Sequence, residues 1–282
     1  MKFFLGSLLL ILVPAGLLAQ EALPEDVKKI LTDAITLANS GKHEEAEKLL
    51  AEAVMKGAQY PETWVMRGRY WGMRKQADKA VADYDRAILL APNEADLFEE
   101  RGSEQFKRGM IKESIADFDR HVKLVPQADK QHWKRGISYY YAGRFADGKK
   151  QFEMYQEFDD SDVENAVWRF LCMAKSDGVE AARKGLLKIG DDRRVPMRQV
   201  YDMFAGQVTP EEVLKVAQMG DEKAQHRQLF YAHQYLALYY EALGEQERSL
   251  KHMLEAVERP IGHYMWDVAK VHVMLRKAPT KN

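Results

Sequence analysis

Residues 61–94 read PETWVMRGRYWGMRKQADKAVADYDRAILLAPNE, and residues 95–128 read ADLFEERGSEQFKRGMIKESIADFDRHVKLVPQA. Laid one under the other, the two stretches agree where size matters most. Gly68 falls on Gly102, each behind an arginine (Arg67, Arg101), and Arg135-Gly136 repeats the pair another 34 residues on. Ala46, Ala80, Ser114, Gly148 and Ala182 keep the same step of 34. So do the large residues Leu50, Tyr84, Phe118, Phe152 and Leu186. Ala53, Ala87, His121 and Tyr155 form a third track, and Pro92 and Pro126 a fourth.

A 34-residue period with small residues where two helices touch, then a proline in the turn, is the tetratricopeptide-repeat (TPR) pattern. Each unit is a pair of antiparallel helices, A and B, whose small residues let the backbones approach while Trp64, Trp71 and Tyr84 fill the space around them. One hairpin cannot bury its apolar faces alone, so neighbours stack. The expected fold is all-α: a right-handed α-solenoid of TPR helix hairpins with a C-terminal capping helix.

Repeats 1–4 are read over residues 25–162, with repeat 2 (61–94) the closest to the pattern. Residues 163–277 are read as a degenerate TPR-like unit, a helical insert, a further TPR hairpin and the capping helix. The insert holds a helix start at Thr209-Pro210-Glu211-Glu212: an N-cap, proline at the first helical position, then acids in the first turn. The hairpin spans 230–260, and the closing helix carries an apolar stripe of Tyr264, Val268, Val271 and Leu275. Residues 278–282 are read as a tail.

The first nineteen residues differ from the rest. Lys2 is their one charge, Phe3 to Leu12 is apolar, and Pro14 and Gly16 interrupt the run before Leu17-Leu18-Ala19. That is the layout of a secretory signal peptide cut after Ala19. The run is also shorter than the ~20 residues a spanning helix needs. The expected product is secreted across the inner membrane, soluble in the periplasm or outside the cell, with no stable membrane anchor after cleavage. Charge is balanced, 42 Lys+Arg against 43 Asp+Glu, which argues against a nucleic-acid partner because a phosphate binder needs a basic face. A single cysteine, Cys172, rules out an intramolecular disulfide, and its apolar setting reads as a small buried hydrophobe.

From Tyr139-Tyr140-Tyr141-Ala142-Gly143-Arg144 onward the chain resembles the NlpI family of bacterial TPR lipoproteins. The shared features are Arg135-Gly136-Ile137, Trp168-Arg169-Phe170-Leu171 and the insert around Tyr201 to Gly206 with Thr209-Pro210-Glu211. Phe230, Tyr239-Tyr240-Glu241-Ala242-Leu243-Gly244 and His263-Tyr264 complete the set. The resemblance implies a dimerising envelope adaptor that brings peptidoglycan hydrolases together and presents substrates to a protease. The chain departs from the family in lacking a cysteine for lipidation near its start.

In a TPR array the A helices line the groove where peptides usually bind. By repeat position, the candidate groove residues are Arg69 and Met73 from repeat 2, and Glu99, Phe106 and Lys107 from repeat 3. Repeat 4 supplies Trp133, Lys134, Ile137, Tyr140 and Tyr141. Trp133, Tyr140, Tyr141 and Phe106 are the hot-spot types. The lysine and asparagine of a carboxylate clamp are absent, since Val65/Arg69, Glu99/Ser103 and Trp133/Ile137 hold those positions. Arg67 and Arg101 are expected to pair with Asp83 and Asp117 within their own repeats. No HExxH, paired CxxC or GxSxG occurs, and His226, His233, His252, His263 and His272 are scattered. No catalytic residue, metal site or cofactor is therefore read. The expected function is a non-enzymatic scaffold or adaptor binding protein or peptide partners, with envelope proteases, cell-wall hydrolases and a second copy of itself as the partners the resemblance implies. The alternative is a non-catalytic or substrate-binding subunit of an envelope enzyme complex.

Overall fold

The computed structural model describes residues 22–277. The expected signal peptide (1–19) and tail (278–282) lie outside the described residues. Among them all regular secondary structure is helical, and no helix is long and apolar enough to cross a membrane. The chain divides into two compact units after Tyr60.

The first unit holds α1 (Glu25–Asn39) and α2 (His43–Gly57), an antiparallel hairpin turned at Gly41. Ala34, Ala46 and Ala53 are fully buried, and Leu31 and Leu50 fill the space beside them. Gly41 has φ +77°, a left-handed conformation that side chains with a Cβ adopt only under strain.

The second unit opens with three consecutive hairpins: α3 (Pro61–Met73) with α4 (Ala77–Leu90), α5 (Ala95–Lys107) with α6 (Ile111–Leu124), and α7 (Trp133–Tyr141) with α8 (Phe145–Gln156). A short 3-10 stretch, Pro126–Gln131, joins the second hairpin to the third. The reason for the glycine track lies in their contacts. A Cβ at Gly68 would stand 3.1 Å from the Tyr84 ring, at Gly102 2.9 Å from Phe118, and at Gly136 2.7 Å from Phe152. Glycine and ring are two halves of one contact, made three times. Gly148 does the same for the next helix, where a Cβ would sit 2.8 Å from Cys172 Sγ. Cys172 is fully buried, and burial pushes its thiol up to about 12, as expected of an inert packing residue.

The arginine track is a registration device. Arg67 donates to Asp83 through Nε (2.8 Å) and Nη2 (2.7 Å). Arg101 does the same to Asp117 and also reaches back to Asp85 at 2.7 Å. Arg135 finds Gln151 ahead (2.9 Å) and Asp119 behind (3.3 Å). Arg169, one period further, takes the Gly185 carbonyl ahead (2.5 Å) and Glu153 behind (2.7 Å). From Arg101 onward each arginine therefore ties its own B helix to the preceding one.

The pattern loosens after α9 (Val163–Ser176). Its partner α10 (Val179–Lys184) is six residues long, and an irregular stretch follows to α11 (Met197–Phe204). In α12 (Pro210–Ala217) the expected helix start is a full capping box: Thr209 Oγ1 accepts from Glu212 N–H, and Glu212 accepts from Thr209 N–H at 2.6 Å. The last hairpin is α13 (Glu222–Ala242) with α14 (Gln246–Val257), and α13 starts eight residues before the expected 230. Helix α15 (Tyr264–Lys277) packs on α14 as expected, but it also lies against α5. The architecture is an all-α TPR solenoid.

Candidate partner-binding site

The repeat positions of the candidate groove residues imply an open A-helix surface. Helix α15 corrects that premise, because this chain covers much of the surface itself. Tyr264 sits 5.6 Å from Phe106 and 5.5 Å, edge-on, from Trp133. His263 stacks on Trp133. His272 Nδ1 meets the Tyr141 hydroxyl at 3.1 Å. At the far end, Lys75 lies over the Trp266 ring and 3.6 Å from Asp267. Phe106 is fully buried beneath Tyr264, while Ile137 and Tyr140 are core residues at 1–2% exposure, Tyr140 against Phe145 and Trp168; Tyr141 is half-buried.

The interface that α15 makes is unusually polar for a core contact. Asp267 and His272 are buried on the helix, facing a surface that holds Glu104 and Glu241. Glu241 accepts from Arg276 Nε at 2.9 Å, with Lys175 and His272 each 3.7 Å away. Burial works to raise the Glu241 carboxyl, and the neighbouring His272, Arg276 and Lys175 together outweigh it and bring it below the usual range. Even so, Glu104 Oε2, Glu241 Oε2, His272 Nε2 and the Tyr140 and Tyr264 hydroxyls lack hydrogen-bond partners. Buried polar groups are rarely left so.

The other expected residues stay accessible to different degrees. Arg69 is exposed and bonded to Glu100, and Met73 is exposed. Lys107 pairs with Glu104 on its own helix. Lys134 Nζ donates to Glu99 at 2.7 Å. Burial works to raise the Glu99 carboxyl, but His132 and Lys134 outweigh it and hold it at about 2.

Trp133 and Ile137 do come together, in the wall of a cavity of about 160 Å³ between α7, α8, α9 and the residue before α15. Phe152, Tyr155 and Trp168 make the rest of its aromatic lining, and Asn165, Asp162, Glu164 and Arg194 supply polar groups. Arg194 is bonded to Glu164 and to Asp162, both at 2.6 Å. Arg194, from the irregular stretch before α11, thereby holds two carboxylates at the cavity. Burial, followed by the neighbouring Glu164, pushes the Asp162 carboxyl up to about 6. Two buried groups lining the cavity have no partner, the Asn165 Oδ1 acceptor and the Trp168 Nε1 donor. Asn165 and Arg194 were missed from the sequence because neither stands on a repeat track. Trp168 had a signal, since Arg169 beside it continues the arginine series.

No protein-family model matches the sequence, and no curated protein matches it. Solved structures do resemble it. A tetratricopeptide repeat protein from Parabacteroides merdae is 14% identical, with a TM-score of 0.56 over 90% of this chain and 99% of its own. The MamA RS-1 ArsTM double mutant is 18% identical, with a TM-score of 0.53 over 58% of this chain and 92% of its own. At these identities the likeness is one of fold. It places the chain among the TPR solenoids by fold.

Proposed function

We propose that this chain is an exported, non-enzymatic adaptor of the cell envelope that binds protein or peptide partners. A protease or peptidoglycan hydrolase is the partner class that its resemblance to the NlpI family suggests. The observation that carries partner binding is the aromatic-walled cavity beside Trp133. It pairs a buried unpartnered acceptor, Asn165 Oδ1, with a buried unpartnered donor, Trp168 Nε1. Aromatic walls that bring polar groups to converge on one space suit the recognition of a polar side chain. A peptide segment entering it would supply both a donor and an acceptor. The opening sequence, with its charged start and interrupted apolar run, supports export.

The test is a pull-down from envelope extract with the mature chain and its Trp133→Ala variant, matched for melting temperature. Capture of an identified protease or wall hydrolase by the parent, lost in the variant, is the expected result. Equal capture by both would move binding away from this cavity. Capture of neither class would overturn the adaptor reading.

A further inference from the structure

We propose that Glu99, His121 and His132 form a binding site for a divalent transition-metal ion, with zinc the best match. The three come from separate elements: Glu99 from α5, His121 from the last turn of α6, and His132 from the residue that caps α7. One ligand atom from each lies within 4.8 Å of the others. An ion about 2.0–2.2 Å from each donor sets neighbouring donors roughly 3.4 Å apart, so the group must adjust by about an ångström.

Three independent features point to a ligand. First, His132 Nε2 and Glu99 Oε2 converge to 2.9 Å, the distance of an ion pair, and His132 is buried. A cation that takes the place of the ring proton between them, with a small opening of the gap, would engage both atoms. Second, the groups behind two of the ligands are arranged as a metal site requires. Glu99 Oε1 accepts from Lys134 Nζ, leaving Oε2 for the ion. His121 Nδ1 lies 3.1 Å from the Ala95 carbonyl, so it carries the proton and leaves Nε2 as a lone pair. Ligating histidines and carboxylates are normally oriented by such partners. Third, the three residues line a cavity of about 260 Å³ with Gln131, Trp133 and Lys134, which gives an ion a route in and room for water at an open position.

Binding through His132 Nε2 places that ring's proton on Nδ1. The ring then gives up a long contact from Arg135 N–H (3.4 Å), while that N–H keeps its 3.1 Å bond to the His132 carbonyl. Two imidazoles, one carboxylate and an open position form a zinc ligand set, whereas magnesium and calcium favour all-oxygen sites.

The experiment is calorimetric titration of Zn²⁺, with Mg²⁺ in parallel, into the chelator-treated mature chain and its Glu99→Gln, His121→Gln and His132→Gln variants. His233→Gln is the control, because His233 and His252 put their Nδ1 atoms 3.0 Å apart elsewhere. Expected are one zinc per chain, no magnesium binding, affinity weakened at least ~10-fold in each site variant, and no change in the control. Circular dichroism identifies any variant that fails to fold, and near-isosteric Glu99→Gln then carries the comparison. Absence of zinc binding, full binding in the folded site variants, or loss in His233→Gln instead would overturn the site.

Discussion

Arg101 grips Asp117 side-on, with Nε and Nη2 donating to separate carboxylate oxygens at 2.8 and 2.6 Å. Asp117 is buried while Arg101 keeps some contact with water. Burial raises the Asp117 carboxyl against the pull of Arg101, so the aspartate depends on its partner. Arg101→Ala should lower stability by about 1–3 kcal/mol, the cost of stranding a buried acceptor. Asp117→Gln should cost less, because Gln151 already fills that place beside Arg135. Urea unfolding of the two variants checks the order; equal losses would refute it.

The glycine track predicts a graded response to one methyl group. Gly136→Ala puts a Cβ 2.7 Å from Phe152, a ring already stacked on Trp168 and unable to retreat. Gly68→Ala meets Tyr84 at 3.1 Å. Overpacking of this kind costs about 1–3 kcal/mol, so Gly136→Ala should sit near the upper figure and Gly68→Ala near the lower. Thermal melts of both variants provide the measurement.

The repeat register was legible because TPR packing puts the same constraint on the same position every 34 residues. Gly102 and Phe118, or Arg101 and Asp117, can be paired by counting. What was not legible depends on where distant segments end up. The stripe of α15 was read correctly as apolar, but nothing in Tyr264 or His272 announces that they settle on Phe106 and Tyr141. Glu99, His121 and His132 are likewise far apart in sequence, and their meeting follows only from stacking α5, α6 and α7. Arg194 carries no such signal, because its partners, Asp162 and Glu164, lie thirty or more positions earlier.

Acid should loosen the α15 contact. Burial brings the His272 pKa down to about 4 in the folded chain, with Arg276 and Lys175 adding to the shift and Glu241 opposing it. In the unfolded chain histidine titrates near 6.5. Between those values the unfolded state binds a proton that the folded state refuses, so His272 costs stability as pH falls from 6.5 to 4 and costs nothing above 6.5. His233, lowered to about 4 chiefly by burial, acts in the same direction. His272→Gln should flatten the decline in melting temperature across this window, measured against the parent at each pH. Parallel curves would count against the assignment.

Tyr264→Ala removes the ring that touches Phe106 and Trp133 together. Large-to-small changes at packed aromatic sites cost about 3–5 kcal/mol, and the loss here should fall on one helix. Hydrogen exchange read by mass spectrometry should show faster exchange in α15 and unchanged protection in α3 and α4. Uniform acceleration over the second unit would show instead that α15 opens only with the whole.

Because α15 is joined to α14 by only the residues 258–263, it behaves toward the α5–α7 surface as a tethered competitor. A segment on so short a leash has an effective concentration on the order of millimolar. Any outside helix that reaches Phe106 or Tyr141 must first displace this resident. Its apparent affinity is then the intrinsic affinity scaled by the fraction of time the surface stands vacant. Weak or chance ligands are screened out by that fraction, and a mutation that loosens α15 tightens every outside ligand of the surface without touching one of them.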